Sequence, residues 1–140
     1  METIHSYKSF NEKKSIEELK YNMLQYKTRL EEVIIENNFY KNLLKASIYK
    51  SNTINLFENL EQFKRNLTNI ETAVSELVLE INAHSHSITN KIECDDLFCD
   101  NFFIKIQDDL EEKIYQFFLK STAFKRQMLQ YLESVLKKNN

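Results

Sequence analysis

The sequence shows its architecture most plainly in residues 56–88, LFENLEQFKRNLTNIETAVSELVLEINAHSHSI. Apolar side chains recur there at steps that alternate between four and three residues, which is the spacing of a heptad seam along one face of an α-helix. The seam positions are Leu56, Leu60, Phe63, Leu67, Ile70, Val74, Leu77, Ile81, His84 and Ile88. Because the alternation holds over nine consecutive steps, it predicts one unbroken helix.

A second seam precedes it and begins at Ser15-Ile16-Glu17-Glu18. Ser15 followed three residues later by Glu18 is typical of a capping box, in which each residue satisfies a backbone amide of the other. The seam runs through Ile16, Leu19, Met23, Tyr26, Leu30, Val33, Asn37, Tyr40 and Leu44, with Ile34, Leu43 and Ile48 widening it. The pattern predicts a helix from residue 16 to about Lys50.

Two connections and a third helix complete the pattern. Asn52 is the expected left-handed residue that ends the first helix, and Thr53 or Asn55 is expected to cap the second. Residues 89–100 form the second connection, in which Asp95, Asp96 or Asp100 could cap the helix that follows. The third seam comprises Phe103, Ile106, Leu110, Ile114, Phe117, Ser121, Phe124, Met128, Tyr131 and Val135, with a stutter at Leu110 where two steps of four meet.

These elements predict an all-α fold, an up-down-up antiparallel bundle of three long helices, because short connections make neighbouring helices antiparallel. The chain has 140 residues with no Gly and no Pro, which suits long helices with few turns. We expect one bundle domain over residues 15–140, preceded by a flexible segment, 1–14. The alternative is a four-helix bundle in which Ile4, Tyr7 and Phe10 dock a short N-terminal helix.

Composition narrows the classes of function. The 19 basic and 21 acidic residues nearly cancel, which leaves no basic field for nucleic acid. The sequence contains neither an apolar leader nor a stretch of about 20 apolar residues, so we expect a cytoplasmic protein without a membrane partner. Its richness in residues with AT-rich codons favours a bacterial source. No nucleophile elbow, phosphate-binding loop or zinc-protease motif is present, so we expect no enzyme and no cofactor.

The third helix carries more apolar residues than one seam needs. A second stripe, interrupted by Thr122 and Lys125, runs beside the first. Its members are Tyr115, Phe118, Leu129, Leu132 and Leu136. The stripe is either a second buried face or a contact surface, since exposed apolar patches mark interaction sites. The second interpretation predicts a non-enzymatic interaction or scaffold protein that self-associates or binds a protein partner there.

A metal- or small-ligand-binding bundle is the alternative function. Glu80, His84, His86, Cys94 and Cys99 are potential ligands close to the second connection, and zinc takes four such groups in a tetrahedron. Two histidines two residues apart on a helix point in different directions, however, and a partly buried histidine and two reduced thiols explain the same residues.

Other polar residues have simpler interpretations. The acidic residues Glu93, Asp95, Asp96 and Asp100 lack the spacing of a calcium loop, so helix capping explains them better. Asn37, Ser47 and Ser121 stand where the seams favour apolar side chains, and such residues fix the register of helix pairing at some loss of stability.

Overall fold

The computed structural model describes residues 7–91 and 97–138. Within these residues the chain forms three long α-helices, α1 (Ile16–Lys45), α2 (Leu56–Lys91) and α3 (Leu97–Val135), preceded by a 3₁₀ turn at Asn11–Lys13. The predicted up-down-up three-helix bundle is therefore confirmed. None of the helices in the described part of the chain is long and apolar enough to cross a membrane.

Three clusters of apolar side chains, stacked along the bundle, show that neighbouring helices are antiparallel. The cluster at one end joins Leu19 near the start of α1 to Ile88 near the end of α2 and Phe103 near the start of α3. The middle cluster contains Met23, Leu30, Val74, Leu77, Ile81, Leu110 and Ile114. The cluster at the far end contains Leu44, Tyr49, Phe63, Leu67, Met128, Leu132 and Val135. The buried positions of α2 follow the predicted seam.

The predicted capping box at the start of α1 is present. The Ser15 hydroxyl accepts a hydrogen bond from the Glu18 amide at 3.2 Å, and the Glu18 carboxylate accepts one from the Ser15 amide at 3.3 Å. The box satisfies amides that the first helical turn cannot pair internally.

The end of α1 was predicted too far along the chain. The helix ends at Lys45, five residues before Lys50, and Ala46 is already extended. Tyr49 then forms an isolated antiparallel bridge with Leu136. In this bridge the Lys50 amide donates to the Val135 carbonyl and the Lys137 amide to the Ile48 carbonyl, both at 2.8 Å. Pairing with the end of α3, together with burial of the Tyr49 ring, outweighs the helical propensity of these residues.

The two connections also differ from the prediction in detail. The left-handed residue of the first connection is Asn55, with φ 59°, and not Asn52. Asn55 directly precedes α2, and its carbonyl accepts the Asn59 amide at 3.0 Å. The second connection is shorter than the predicted 89–100, because α2 continues to Lys91 and α3 begins at Leu97, which places Asp100 within α3. Asp95 and Asp96 lie outside the described residues, as does Glu93.

Candidate functional site

The N-terminal segment from Tyr7 to Lys14 lies against α3 and is held there by side-chain hydrogen bonds. Tyr7 donates to the Glu111 carboxylate, and Ser9 donates to the Asp108 carboxylate. The Asn11 amide donates to both acids, at 2.6 Å to Glu111 and 2.7 Å to Asp108. For the four-helix alternative, Ile4 lies outside the described residues, while residues 7–14 contain one 3₁₀ turn and Phe10 is exposed.

Glu111 belongs to a buried polar network that connects the N-terminal segment with all three helices. The network consists of Asn11, His84, Gln107 and Glu111, each of which is at most 4% exposed. Gln107 is its centre, because its amide nitrogen donates to the Glu111 carboxylate at 3.2 Å and to the Leu19 carbonyl of α1 at 3.3 Å. Of these four polar side chains only His84 occupies a predicted seam position, and buried polar groups of this kind require hydrogen-bond partners.

The same geometry determines the tautomer of His84. The ring Nε2 lies 2.6 Å from the Gln107 amide oxygen. Since both donor contacts of Gln107 come from its nitrogen, its oxygen is the acceptor, and His84 must carry its proton on Nε2. The opposite ring atom, Nδ1, is buried without a hydrogen-bond partner among the described residues. His84 is thus a neutral donor through Nε2, and its unprotonated Nδ1 is buried.

Burial controls the ionisation of this network. Loss of hydration lowers the pKa of His84 below its ordinary value, although the hydrogen bond to Gln107 and the charge of Glu111 oppose the shift. Burial is the largest cause that raises the pKa of Tyr7 well above its ordinary value, and the hydrogen bond to Glu111 raises it further. The phenol therefore keeps its proton. The network is therefore arranged for hydrogen bonding between one carboxylate and neutral donors.

The candidate metal ligands do not converge in the described residues. The Glu80 carboxylate forms an ion pair with the Lys113 ammonium at 2.7 Å. His84 is buried, whereas His86 is exposed. Cys94 lies outside the described residues, and so does the side chain of Cys99. Within the described part of the chain, no group of three or more His, Cys, Asp or Glu side chains could hold a metal ion.

The predicted apolar stripe of α3 is divided between the core and the surface. Leu132 is 3% exposed and belongs to the core cluster at the far end of the bundle. Leu136 packs against that cluster, and Phe118 packs against the middle cluster beneath the Arg29 guanidinium. The ring centroids of Tyr115 and Tyr7 lie 5.9 Å apart. Leu129, at 39% exposure, is the exposed member of the stripe. As a partner surface, the stripe remains a prediction.

A second apolar row lies on α1 and was not predicted from the sequence. Tyr21, Leu24, Ile35 and Phe39 are 60%, 49%, 70% and 61% exposed. At 3.6 residues per turn these positions fall within about 60° of one another around the helix, on the side opposite the buried seam. We refer to these four residues as the outer row. The signal was present in the sequence, because α1 has apolar residues on two opposite faces, whereas a surface helix normally has one.

Two of the polar seam residues line one groove between α1 and α3. The groove has a volume of about 210 Å³, and its walls include Asn37 of α1 and Ser121 of α3. Asn37 is 4% exposed and donates to the Leu67 carbonyl of α2 at 3.2 Å. A buried amide bound to a neighbouring helix stabilises one register of the α1–α2 pair, in keeping with the interpretation of Asn37 as a register residue.

Fold and site together define the class: an all-α three-helix bundle with a buried polar network and an apolar row on the outside of its first helix. Comparison of the chain with protein-family models, with curated proteins and with solved structures finds no significant match.

Proposed function

We propose that the chain is a non-enzymatic interaction protein that binds an amphipathic helix along the outer row of α1. The observation that carries the proposal is the alignment of four large apolar side chains, each about half to two-thirds exposed, on one face of a single helix. Single exposed apolar residues are common in soluble proteins, but several that share one face of a helix favour a contact surface.

The dimensions of the outer row fit a helix as its occupant. The row extends over nineteen residues, from Tyr21 to Phe39, and the eighteen steps between them correspond to about 27 Å of helix. It is one helix wide, with Lys20 and Lys27 along one edge and Glu32 along the other. A partner helix with an apolar face of similar length would bury the row and keep its own polar face in water.

The hydrogen bonds of the buried polar network favour a structural role for its polar side chains. Gln107 and Glu111 each have internal hydrogen-bond partners from other parts of the chain. Groups that bind one another in this way stabilise the packing of Tyr7–Lys14 and the helices. They are not presented to a substrate, which favours an interaction protein over an enzyme.

Site-specific photocrosslinking in cells that express the full chain tests the proposal. A benzophenone amino acid replaces Ile35 in the outer row, and a matched variant carries it in place of the exposed Gln127 of α3. We expect an adduct from position 35 alone, and mass spectrometry should map it to an amphipathic helix of the captured chain. The change Phe39→Lys should abolish that adduct. The proposal fails if position 35 yields no adduct, or if its adducts match those of position 127.

A further inference from the structure

We infer that the groove between α1 and α3 binds a small aromatic carboxylate, whose ring lies against the apolar walls and whose carboxylate meets the Arg29 guanidinium. The groove lies on a different face of α1 from the outer row, so this site does not depend on the proposed function. Three properties of the groove carry the inference: its place in the core, its lining and the charges at its mouth.

The groove lies where the core of the bundle is interrupted, between the middle cluster and the cluster at the far end. The structure describes every residue of α3 between Ile114 and Met128, and none of them is buried. Ser121 stands at a seam position in this interval, and the buried residue of α1 that lines the same groove is Asn37, an amide. Protein cores contain few voids larger than a water molecule, so a gap of about 210 Å³ between three helices is unusual.

The lining of the groove changes from apolar in its depth to charged at its mouth. Its most deeply buried members are Leu67 and Met128, at 1% and 0% exposure, beside the amide of Asn37. Phe118 and Phe124 are half-buried and form aromatic walls. Ligand pockets in proteins have this composition, mostly apolar with a few polar groups at fixed positions.

The volume limits the ligand to about one ring. An apolar cavity of about 150 Å³ is large enough to bind benzene. The groove, at about 210 Å³, therefore accommodates one six-membered ring with a substituent of a few atoms. Phe118, Phe124 and the thioether of Met128 are side chains that contact aromatic rings favourably, which favours an aromatic ligand over an aliphatic one of the same size.

The basic side chains at the mouth favour an anionic substituent. Lys125 is already paired with Glu36 at 3.4 Å, and Glu36 also accepts the Tyr40 hydroxyl at 3.4 Å. Arg29 lies over the Phe118 ring, 4.2 Å from its centroid, and this cation–π contact holds the guanidinium beside the groove. None of the ion pairs among the described residues involves Arg29. Its N–H donors can therefore bind a carboxylate, which arginine recognises through two parallel hydrogen bonds.

Binding of para-fluorobenzoate to the full chain, followed by fluorine NMR, tests the site. We expect one site per chain with a dissociation constant of about 1 mM or tighter, and intermolecular NOEs from the ring protons to the Met128 methyl group. Ser121→Leu places an apolar side chain in the gap and should abolish binding, while thermal unfolding checks that the variant folds. Absence of binding, or NOEs to other parts of the chain alone, overturns the inference.

The role of Arg29 has a separate test. Arg29→Gln should weaken para-fluorobenzoate about tenfold, because it removes the charge that pairs with the carboxylate, and should leave the neutral para-fluorobenzyl alcohol unaffected. Arg126→Gln is the matched control, since Arg126 of α3 is exposed and does not line the groove. Equal weakening by the two substitutions, or equal affinity of the wild type for the two probes, overturns the assignment of a carboxylate ligand.

Glu32 gives the sign of the electrostatic contribution. It lines the mouth of the groove and, within the described part of the chain, belongs to no ion pair, so its charge opposes an anionic ligand. Glu32→Gln should tighten para-fluorobenzoate about twofold to fivefold. The neighbouring Glu31→Gln removes the same charge from an exposed position outside the groove and should have a smaller effect. Weaker binding to Glu32→Gln would contradict an anionic ligand.

Discussion

At the scale of single residues, the most informative side chain is His84. Its seam position made it a candidate metal ligand, but its surroundings make it a hydrogen-bond donor to Gln107. Protonation of Nδ1 would place a second N–H, and a positive charge, where the described residues offer no acceptor. The cost of that buried, unsatisfied donor is the physical reason why the neutral form is favoured in the folded chain.

His84 should therefore make the stability of the bundle depend on pH. Burial lowers its pKa below the ordinary value of 6.5, so between these two values the unfolded chain binds more protons than the folded chain. The contribution of His84 to the free energy of unfolding is fully present above pH 6.5 and declines as the pH falls below it. Urea unfolding of the wild type and of His84→Gln should show the wild type losing stability faster on acidification. Parallel pH profiles would contradict this assignment.

At the scale of elements, the end of α1 shows how tertiary contacts shorten a helix. Residues 46–50 contain no helix breaker, yet the chain leaves the helix at Ala46 and buries Tyr49 to 5% exposure. The Tyr49 hydroxyl donates to the Leu43 carbonyl at 2.6 Å, which satisfies a backbone group near the end of α1. The ring fills the far end of the core beside Leu132.

Substitutions of Tyr49 should separate these two contributions. Tyr49→Phe removes only the hydroxyl and should lower the free energy of unfolding by about 0.5–1.5 kcal/mol. Tyr49→Ala also removes the ring and should cost about 3–5 kcal/mol. Tyr21→Ala, at a position 60% exposed, is the control and should have little effect in dilute solution, where urea unfolding measures the monomer. Equal costs for Tyr49→Ala and Tyr21→Ala would show that the bridge segment is not part of the core.

At the scale of the whole molecule, the three helices carry more apolar side chains than the shared core buries. The three-helix arrangement takes up Leu132, Leu136 and Phe118 from the second stripe of α3. Of the large apolar side chains that stay exposed, the four of the outer row share one face of α1. The α3 stripe remains a prediction as a partner surface, while the contact surface proposed from the structure lies on α1.

Two leucines of α3, one turn apart, provide a test of this distribution. Leu132→Ala removes a side chain that is 3% exposed and should cost about 2–5 kcal/mol in the free energy of unfolding. Leu129→Ala changes a side chain that is 39% exposed and should cost less than about 0.5 kcal/mol. Chemical denaturation followed by circular dichroism measures both. Similar losses would contradict the assignment of Leu132 to the core of a single chain.

The sequence alone determined the class of fold, the unbroken course of α2 along its seam and the capped start of α1. Heptad spacing and a capping box are local signals, and a helix requires only local agreement among residues three and four apart. His84 was recognised as unusual on the same basis, although its partner could not be named.

Tertiary structure alone decided where α1 ends, which apolar residues remain outside, and what the polar seam residues bind. The hydrogen bonds of Asn11 and Gln107 join residues about 90 to 100 positions apart in the chain. The bridge from Tyr49 to Leu136 likewise joins the first connection to the end of the chain. Heptad spacing indicates that one face of a helix is apolar, but it does not indicate which neighbouring helix covers that face. That choice depends on how three helices share one core, because each can bury only the faces that its two neighbours reach.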